Sequence, residues 1–295
     1  MHDVRAKNVR VKSFAAKLGA DDDGSEAWTL VLPESDVLVI QHALMLGPGV
    51  RRAEVRALRL HRGRQGPRWE LSRLEVGQAV VDSVSARALW GESSLSLSEA
   101  YGATAGWRWR LRAAAGAGPA VSAPLGAFAD AHISFPITAA ATAGELRVAG
   151  GWRPLRGHAS LVHRFSRESS RAWAWLALPG LEGGGSLVAS VVALPSLPLV
   201  AVTGWWRWKG QEQAWPSGVA MFLRRFSRSE EGWSLTATVA GRRLRLTLRE
   251  VAVINLERSP SGRVKLAYVE AELDLSGEKV RGRGVLEYVA SDEPV

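Results

Sequence analysis

The sequence has no cysteine among its 295 residues, and this absence removes several kinds of site at once. Disulfide bonds, thiolate zinc sites and a cysteine nucleophile are all excluded. Stretches with a long apolar stripe at helical spacing and caps at both ends are missing as well, so helices are not expected to carry the fold. The amino-terminal stretch MHDVRAKNVRVKSF lacks the apolar core of a secretion signal, and we expect a cytoplasmic protein.

The motifs of several large enzyme classes are missing too. The chain has no P-loop, no glycine-rich dinucleotide fingerprint behind a strand, no HExxH pair and no nucleophile elbow. His158 and His163 are an odd number of residues apart, so on a continuous strand they face opposite sides and do not form a joint metal site. We therefore expect neither a metal nor a cofactor.

Blocks of like charge are absent, although the formal net charge is +9 and the pI is about 10.5. Arginines occur in nearly every segment, and no run of five or six like charges concentrates them. This distribution argues against nucleic acid as a specific partner, because phosphate recognition uses clustered cations. It leaves an anionic surface open as a partner, including peripheral contact with a membrane.

Short alternating stretches separated by turns that contain Gly and Pro make up most of the chain. In RRLRLTLRE, Leu244, Leu246 and Leu248 face one way and the mostly basic residues between them face the other, as in a half-buried strand. Many such strands predict an all-β fold, either a sandwich or a barrel. The uncharged run Ser186–Trp206 is predicted as two buried strands rather than a membrane span, because two prolines interrupt it.

Tryptophan alternates with basic residues in two stretches, GWRWRLR and GWWRWKG. The alternation places Trp107 and Trp109 on one face of a strand, and Trp206 and Trp208 on one face of another, with most of the cations opposite. Stacking of nucleic-acid bases would need aromatic and cationic side chains on the same exposed face. The four tryptophans are therefore either ligand contacts inside a cavity or core residues, and the sequence leaves both open.

Two histidines have neighbours that single them out. His42 lies in the apolar stretch VLVIQHALML and shares a face with leucine and isoleucine, which is typical of a core histidine and also makes it a candidate ligand contact. His132 follows Asp130 by two residues, so both face the same way on a strand. Such a pair serves either as a general-base pair or as an ordinary surface pair.

The stretch GHASLVHRFSRESSRAWAWLAL resembles a segment of the form G-x-x-Y-x-E-K/H-N-W-G … W-x-W. That segment occurs in the lipocalin-like tocopherol cyclase and carotenoid hydratase (CrtC/AttH-like) clan. His163 takes the K/H position, while Arg164 and Phe165 stand where the family has Asn and Trp. Trp173 and Trp175 take the positions of the W-x-W pair.

A second likeness lies near the end of the chain, where GRGVLEYV fits a terminal G-x-G-x-x-E strand with Glu287 as its acid. One departure from the family matters. Val162 stands where the family has an acidic residue, so if that acid is the proton donor, another acid must replace it. Glu168 and Asp130 are the candidates, with His163 as their polar acid–base partner.

The resemblance implies two lipocalin-like antiparallel β-barrels in tandem, as domains 1–150 and 151–295, with a large β-sandwich as the alternative. It also implies an apolar ligand, isoprenoid or lipid, that is bound and then hydrated, cyclised or isomerised in an aromatic-lined cavity. The predicted catalytic residues are His163, Glu168 and Asp130. The predicted ligand contacts are Trp173, Trp175, Phe165, Arg164, Trp206, Trp208, Trp107, Trp109, His42 and His132.

Two other interpretations stay open. The outward arginines would suit a basic β-sheet interaction module that binds an anionic partner, nucleic acid or a membrane surface, without catalysis. The chain would also serve as a structural β protein that binds another chain, and its oligomeric state is not predicted. Salt separates the first case from ligand binding, because phosphate binding weakens steeply as salt rises whereas binding of an apolar molecule hardly responds.

Overall fold

The structure is a computed structural model that describes residues 24–33, 37–47, 50–82, 84–114, 120–122, 131–167, 173–193, 200–214, 225–229, 232–239, 242–259, 262–275 and 277–290. Within these residues the chain consists of β-strands and turns, with one 3₁₀ turn at Glu182–Gly184 as its single helical element. The predicted all-β fold class is confirmed. No helix in this part of the chain is long and apolar enough to cross a membrane.

The first sheet has twelve strands, and the strand pairs with an assigned register are antiparallel. The strands are β1 (Gly24–Leu32), β2 (Leu38–Gly47), β3 (Val50–Gly63), β4 (Gly66–Val76), β5 (Ala79–Asp82), β6 (Arg87–Trp90), β7 (Ser93–Ser96), β8 (Glu99–Ala103), β9 (Arg108–Ala113), β10 (Val121–Ser122), β11 (Ala131–Val148) and β12 (Gly151–Arg167). Their order is β4-β3-β2-β1-β12-β11-β9-β8-β7-β6-β5, with β10 beside β11. The two edge strands, β4 and β5, are consecutive in the chain, as expected of a sheet that curves into a near-closed barrel.

The second sheet has nine strands and forms a half-barrel. They are β13 (Trp173–Leu181), β14 (Gly185–Ala193), β15 (Val200–Trp208), β16 (Gln211–Ala214), β17 (Arg225–Ser229), β18 (Gly232–Val239), β19 (Arg242–Ser259), β20 (Gly262–Leu275) and β21 (Glu278–Ala290). Their order is β16-β15-β14-β13-β21-β20-β19-β18-β17. This sheet repeats the plan of the first, since its first strand pairs with its last and its edge strands are consecutive. The described parts of the run Ser186–Trp206, residues 186–193 and 200–206, lie in β14 and β15, as predicted.

The described residues group into two compact units. The first unit contains most of the first sheet, through the end of β12, and the second contains the second sheet together with Arg62–Arg68 and residues at the start of β11. The predicted boundary near residue 150 lies in the turn between β11 and β12, which are neighbouring strands of the first sheet. The stretch after that turn stays in the first sheet because β12 pairs with β1.

The tryptophan of β9 is buried and its arginines are exposed, as the alternation predicts. Trp109 and Leu111 lie in the core of the first sheet, and the arginines between and beside them face solvent. Trp107 precedes β9 and packs, partly buried, against the same core. These tryptophans therefore belong to the interior of the first sheet.

Both faces of β15 are buried, which a single alternation does not reveal. Trp206 lies in the core of the second sheet, and Trp208 packs against that core. Trp205 faces the other way and is only 1% exposed, although the alternation groups it with the cations. The guanidinium of Arg207 lies 5.9 Å from the centre of its ring. The face expected to point to water is thus buried at Trp205.

Candidate active site

The candidate site is built on β1 and β12, the first and last strands of the first sheet. The strands are antiparallel neighbours, and their register places Trp28 opposite His163 and Glu26 opposite Phe165. Side chains two residues apart on a strand share a face, so all four project to one side of the sheet. This is the side that holds the hydrophobic core of the first sheet, to which Trp28 belongs.

Glu26 and His163 form a buried acid–base pair on this side. Nε2 of His163 lies 2.6 Å from Oε1 of Glu26, and neither side chain is exposed to solvent. Each group provides a hydrogen-bond partner for the other, whereas either one buried alone would lower the stability of the fold. The pair is therefore held in one geometry, and both of its members can take up or release a proton.

Indole rings pack against this pair. Trp28 stacks on the imidazole of His163 with 4.7 Å between ring centres and 6° between planes. Trp90, on β6, meets Trp28 edge-on at 5.3 Å and donates its indole N–H to the carbonyl oxygen of Ala43 at 3.1 Å. Aromatic faces beside an acid–base pair are suited to stabilise a positive charge that forms during a reaction.

The predicted ligand contact His42 lies in the same core, on the other side of Trp28 from His163. The register of β1 and β2 places His42 directly opposite Trp28, and its ring centre is 5.3 Å from that of Trp90. Burial lowers the pKa of His42 to about 3. The imidazole is therefore neutral at physiological pH, with one nitrogen as donor and the other as acceptor.

Arg164 points away from His163, because the two are adjacent on β12. Its guanidinium donates to Oγ of Ser25 at 2.8 Å. A second buried arginine, Arg56 of β3, lies on that same side of the sheet and forms an ion pair with Glu54 at 2.9 Å. This side of the first sheet holds a buried group of polar side chains, and the structure does not bring Arg164 to the acid–base pair.

The W-x-W pair lies in the second sheet, on β13. Trp173 and Trp175 are buried on the face opposite to the hydrophobic core of that sheet. Trp175 lies directly across from Glu287 of β21 and from Ser190 of β14. The two stretches that carry the family resemblance in the second sheet, W-x-W and G-x-G-x-x-E, are thus neighbours.

Sequence reasoning missed Glu26 and Trp28. A signal for both was present in GSEAWTLVL, where every second residue gives one face made of an acid, a tryptophan and two leucines. A carboxylate on such an apolar face needs a hydrogen-bond or ion-pair partner. The predicted acids Glu168 and Asp130 lie outside the described residues, and His132 is buried near the start of β11. The part of the chain that the structure describes contains no cluster of three or more metal-ligating side chains.

Comparison with known proteins finds similarity in structure. No protein-family model and no curated protein matches the sequence. Kievitone hydratase from Nectria haematococca is 16% identical, with a TM-score of 0.55 over 94% of this chain and 93% of its own. A protein assigned as AttH from Nitrosomonas europaea is 11% identical, with a TM-score of 0.57 over 93% and 97%. CghA, solved with Sch210972, is 13% identical, with a TM-score of 0.61 over 95% of each chain.

At these identities the matches show the fold. The chain has the lipocalin-like, two-sheet fold of a group of proteins that includes an AttH and a hydratase. The resemblance drawn from the sequence is confirmed at that level. The matches extend over both sheets, whereas the motifs that carried the resemblance lie between Gly157 and Val289.

Proposed function

We propose that the first sheet binds an elongated apolar molecule, isoprenoid or lipid, and that Glu26 and His163 perform acid–base chemistry on it. The observation that carries this proposal is the buried pair itself, 2.6 Å apart and stacked on Trp28. The fold supports it, because one protein of the same fold is by name a hydratase. We place the activity in the cytoplasm.

Proton addition to a carbon–carbon double bond is the reaction that suits this pair. The pair gives a proton to one alkene carbon, and the other carbon becomes a cation that the faces of Trp28 and Trp90 stabilise. Water that captures the cation loses a proton to the pair, and the net result is hydration. Capture by a second double bond followed by proton loss gives cyclisation, and direct loss of a neighbouring proton gives isomerisation. In each case the pair recovers the proton that it gave.

Other aromatic side chains are proposed as walls of the ligand site. Phe165 lies opposite Glu26, and Trp109 and Trp107 belong to the same core, so all three would contact a molecule that lies beside the pair. Such side chains offer a large apolar area and lose little entropy on binding. Within the second sheet taken by itself, Trp173 and Trp175 are proposed as contacts of a bound apolar molecule, and Trp175 neighbours Glu287 there.

The first experiment is native mass spectrometry of the purified protein, followed by organic extraction of whatever remains bound. We expect a stoichiometric apolar molecule. A clean apo mass that stays unchanged after incubation with a lipid extract would contradict ligand binding. The tryptophans would then be core residues.

Isotopic solvents test the chemistry separately from binding. Polyenes and prenylated phenols are incubated with the protein in D₂O or H₂¹⁸O, because all three reactions add deuterium to carbon and only hydration adds labelled oxygen. Glu26→Gln and His163→Gln are expected to lower turnover about 100-fold or more, since they remove the proton donor or acceptor. The variants His61→Gln and Glu99→Gln, at half-buried positions, serve as controls. If Glu26→Gln and His163→Gln are as active as these controls, the acid–base pair takes no part in the reaction.

A second candidate function, binding of an anionic partner, is favoured by one exposed surface of the first sheet. Arg108 and Arg147 lie directly opposite each other on β9 and β11, and neither has an ion-pair partner among the described residues. Like charges in that position repel, so an anion between them would stabilise the sheet. Trp152, 43% exposed, lies on the same surface, with Arg110 5.0 Å from its ring centre.

The variant Arg108→Gln tests this candidate. Loss of polyanion binding with unchanged binding of the apolar ligand would support it, and unchanged polyanion binding would contradict it.

A further inference from the structure

His42 and His163 face the interior of the first sheet with one tryptophan between them. Trp28 lies directly opposite His163 on one side and directly opposite His42 on the other. Directly opposed side chains have Cβ atoms about 5 Å apart, so the two histidines are separated by roughly 10 Å. A molecule that lies beside Trp28 and spans this distance would therefore reach both of them.

His42 is fully buried, and neither of its ring nitrogens has a hydrogen-bond partner among the described residues. The nearby indole N–H of Trp90 is directed at the carbonyl oxygen of Ala43 instead. Buried polar atoms without partners lower the stability of a fold, and an apolar ring of similar shape would avoid this loss. A position that departs from the rules of packing in this way is expected where a side chain serves a ligand.

The protonation state of His42 limits what it can recognise. Its pKa of about 3 keeps the imidazole neutral, so it presents one hydrogen-bond donor and one acceptor and carries no charge. An anionic headgroup would find no countercharge there. A hydroxyl group suits either ring nitrogen, because it both donates and accepts. Trp28, Trp90 and Leu44 lie in the same core, and the nearest acid on this face, Glu26, lies opposite Leu44 and is paired with His163.

We infer that His42 hydrogen-bonds a hydroxyl group of the molecule bound in the first sheet and thereby selects hydroxylated apolar molecules over plain hydrocarbons. The inference rests on the proposed function in one respect, since it requires that the first sheet binds an apolar molecule. It does not depend on any reaction at Glu26 and His163. His42 and the acid–base pair would then hold two different parts of one ligand.

Two probes that differ in one hydroxyl group test the inference. Farnesol and its hydrocarbon relative farnesene are titrated into the wild-type protein, His42→Phe and His42→Gln, with binding followed by quenching of tryptophan fluorescence. His61→Phe, which removes a partly exposed histidine of the same sheet, is the matched control. The wild type and the control are expected to bind farnesol about tenfold more tightly than farnesene. His42→Phe is expected to lose this preference by weakening farnesol alone, and His42→Gln, which keeps a donor and an acceptor, to retain part of it.

The outcomes separate this inference from the proposed function. Equal binding of both probes by the wild type, or an unchanged preference in His42→Phe, would overturn the role of His42 and leave ligand binding intact. Failure of the wild type to bind either probe would overturn both. Should His42→Phe fail to fold, the imidazole ¹⁵N chemical shifts of the wild type decide. A hydrogen bond to farnesol must shift a His42 nitrogen that farnesene leaves unchanged, and its absence would contradict the inference.

Discussion

At the scale of single residues, Glu26 and His163 depend on each other for their stability in the core. Both are fully buried, so the loss of one removes this ion pair from the other. Glu26→Ala or His163→Ala alone is expected to lower the free energy of unfolding by roughly 3–5 kcal/mol. The double variant Glu26→Leu/His163→Phe should lose less than either, because it removes both polar groups and fills the space. Chemical denaturation of all variants measures this, and additive effects would contradict the coupling.

His42 makes stability depend on pH. Its pKa is about 3 in the folded chain against 6.5 in the unfolded chain, so the unfolded chain takes up the proton first as pH falls. The neutral ring makes its full contribution to the free energy of unfolding above pH 6.5. Between pH 6.5 and about pH 3 this contribution falls by about 1.4 kcal/mol for each pH unit. His42→Phe is expected to remove this slope. Urea unfolding at pH 7, 5.5 and 4.5 measures it, with His61→Phe as control, and an identical slope in His42→Phe would refute the assignment.

At the scale of the element, β21 contains two glycines that the neighbouring strand β13 requires. A Cβ atom on Gly284 would lie 2.1 Å from the carbonyl oxygen of Ala177, and one on Gly282 would lie 2.4 Å from a methyl group of Leu181. The register of the two strands shifts between Ala177 and Gly180, which brings the backbones close at this point. The G-x-G pattern that resembled a family motif therefore has a packing cause in this chain.

Gly284→Ala is expected to destabilise the second sheet by about 3 kcal/mol, the upper end of overpacking penalties, because a backbone carbonyl cannot rotate away as a side chain can. Gly106→Ala is the matched control, since a Cβ there has no neighbour within 4 Å. Thermal unfolding followed by circular dichroism compares the two. Equal melting temperatures would mean that β13 and β21 are not packed as described.

The outer face of β19 illustrates what a strand pattern leaves out. The alternation predicts a basic face, and Arg245 and Arg249 are indeed exposed. Across from them, however, β20 presents Asp274 and Glu270, and β21 presents a further row of cations beyond that. The cations of β19 thus border a row of acids, and Arg249 forms an ion pair with Glu270.

The pattern of a single strand also explains which part of the site could be predicted and which part was missed. Alternation shows which residues of one strand share a face, so the burial of Trp109 and Trp206 and the all-β class could be predicted. It does not show which strand lies alongside. Glu26 becomes the partner of His163 through the pairing of β1 with β12, and these side chains are 137 positions apart in the chain. A nearby acid was therefore sought along the sequence, at Glu168 and Asp130, instead of across the sheet.

At the scale of the whole molecule, a net charge of +9 is distributed over surfaces where acids interrupt the cations. We expect weak retention on heparin that physiological salt abolishes. Removing two acids of β20, with Glu270→Gln and Glu272→Gln, should raise the salt needed for elution, because two rows of cations lose the acids between them. The control Glu75→Gln/Glu92→Gln makes the same change in net charge elsewhere. Equal elution of the two variants would show that total charge alone decides.

The pairing of β1 with β12 has a consequence for how the chain is made. During synthesis β1 appears before its neighbour β2, but its neighbour on the other side, β12, ends only at Arg167. This side of β1 therefore stays unpaired until most of the first unit has left the ribosome. Closing such a long loop is slow, and an unpaired edge strand is a template for contact with other chains. Nascent chains that stop before Gly151 therefore lack the strand that protects this edge, and they are the products of translation most exposed to aggregation.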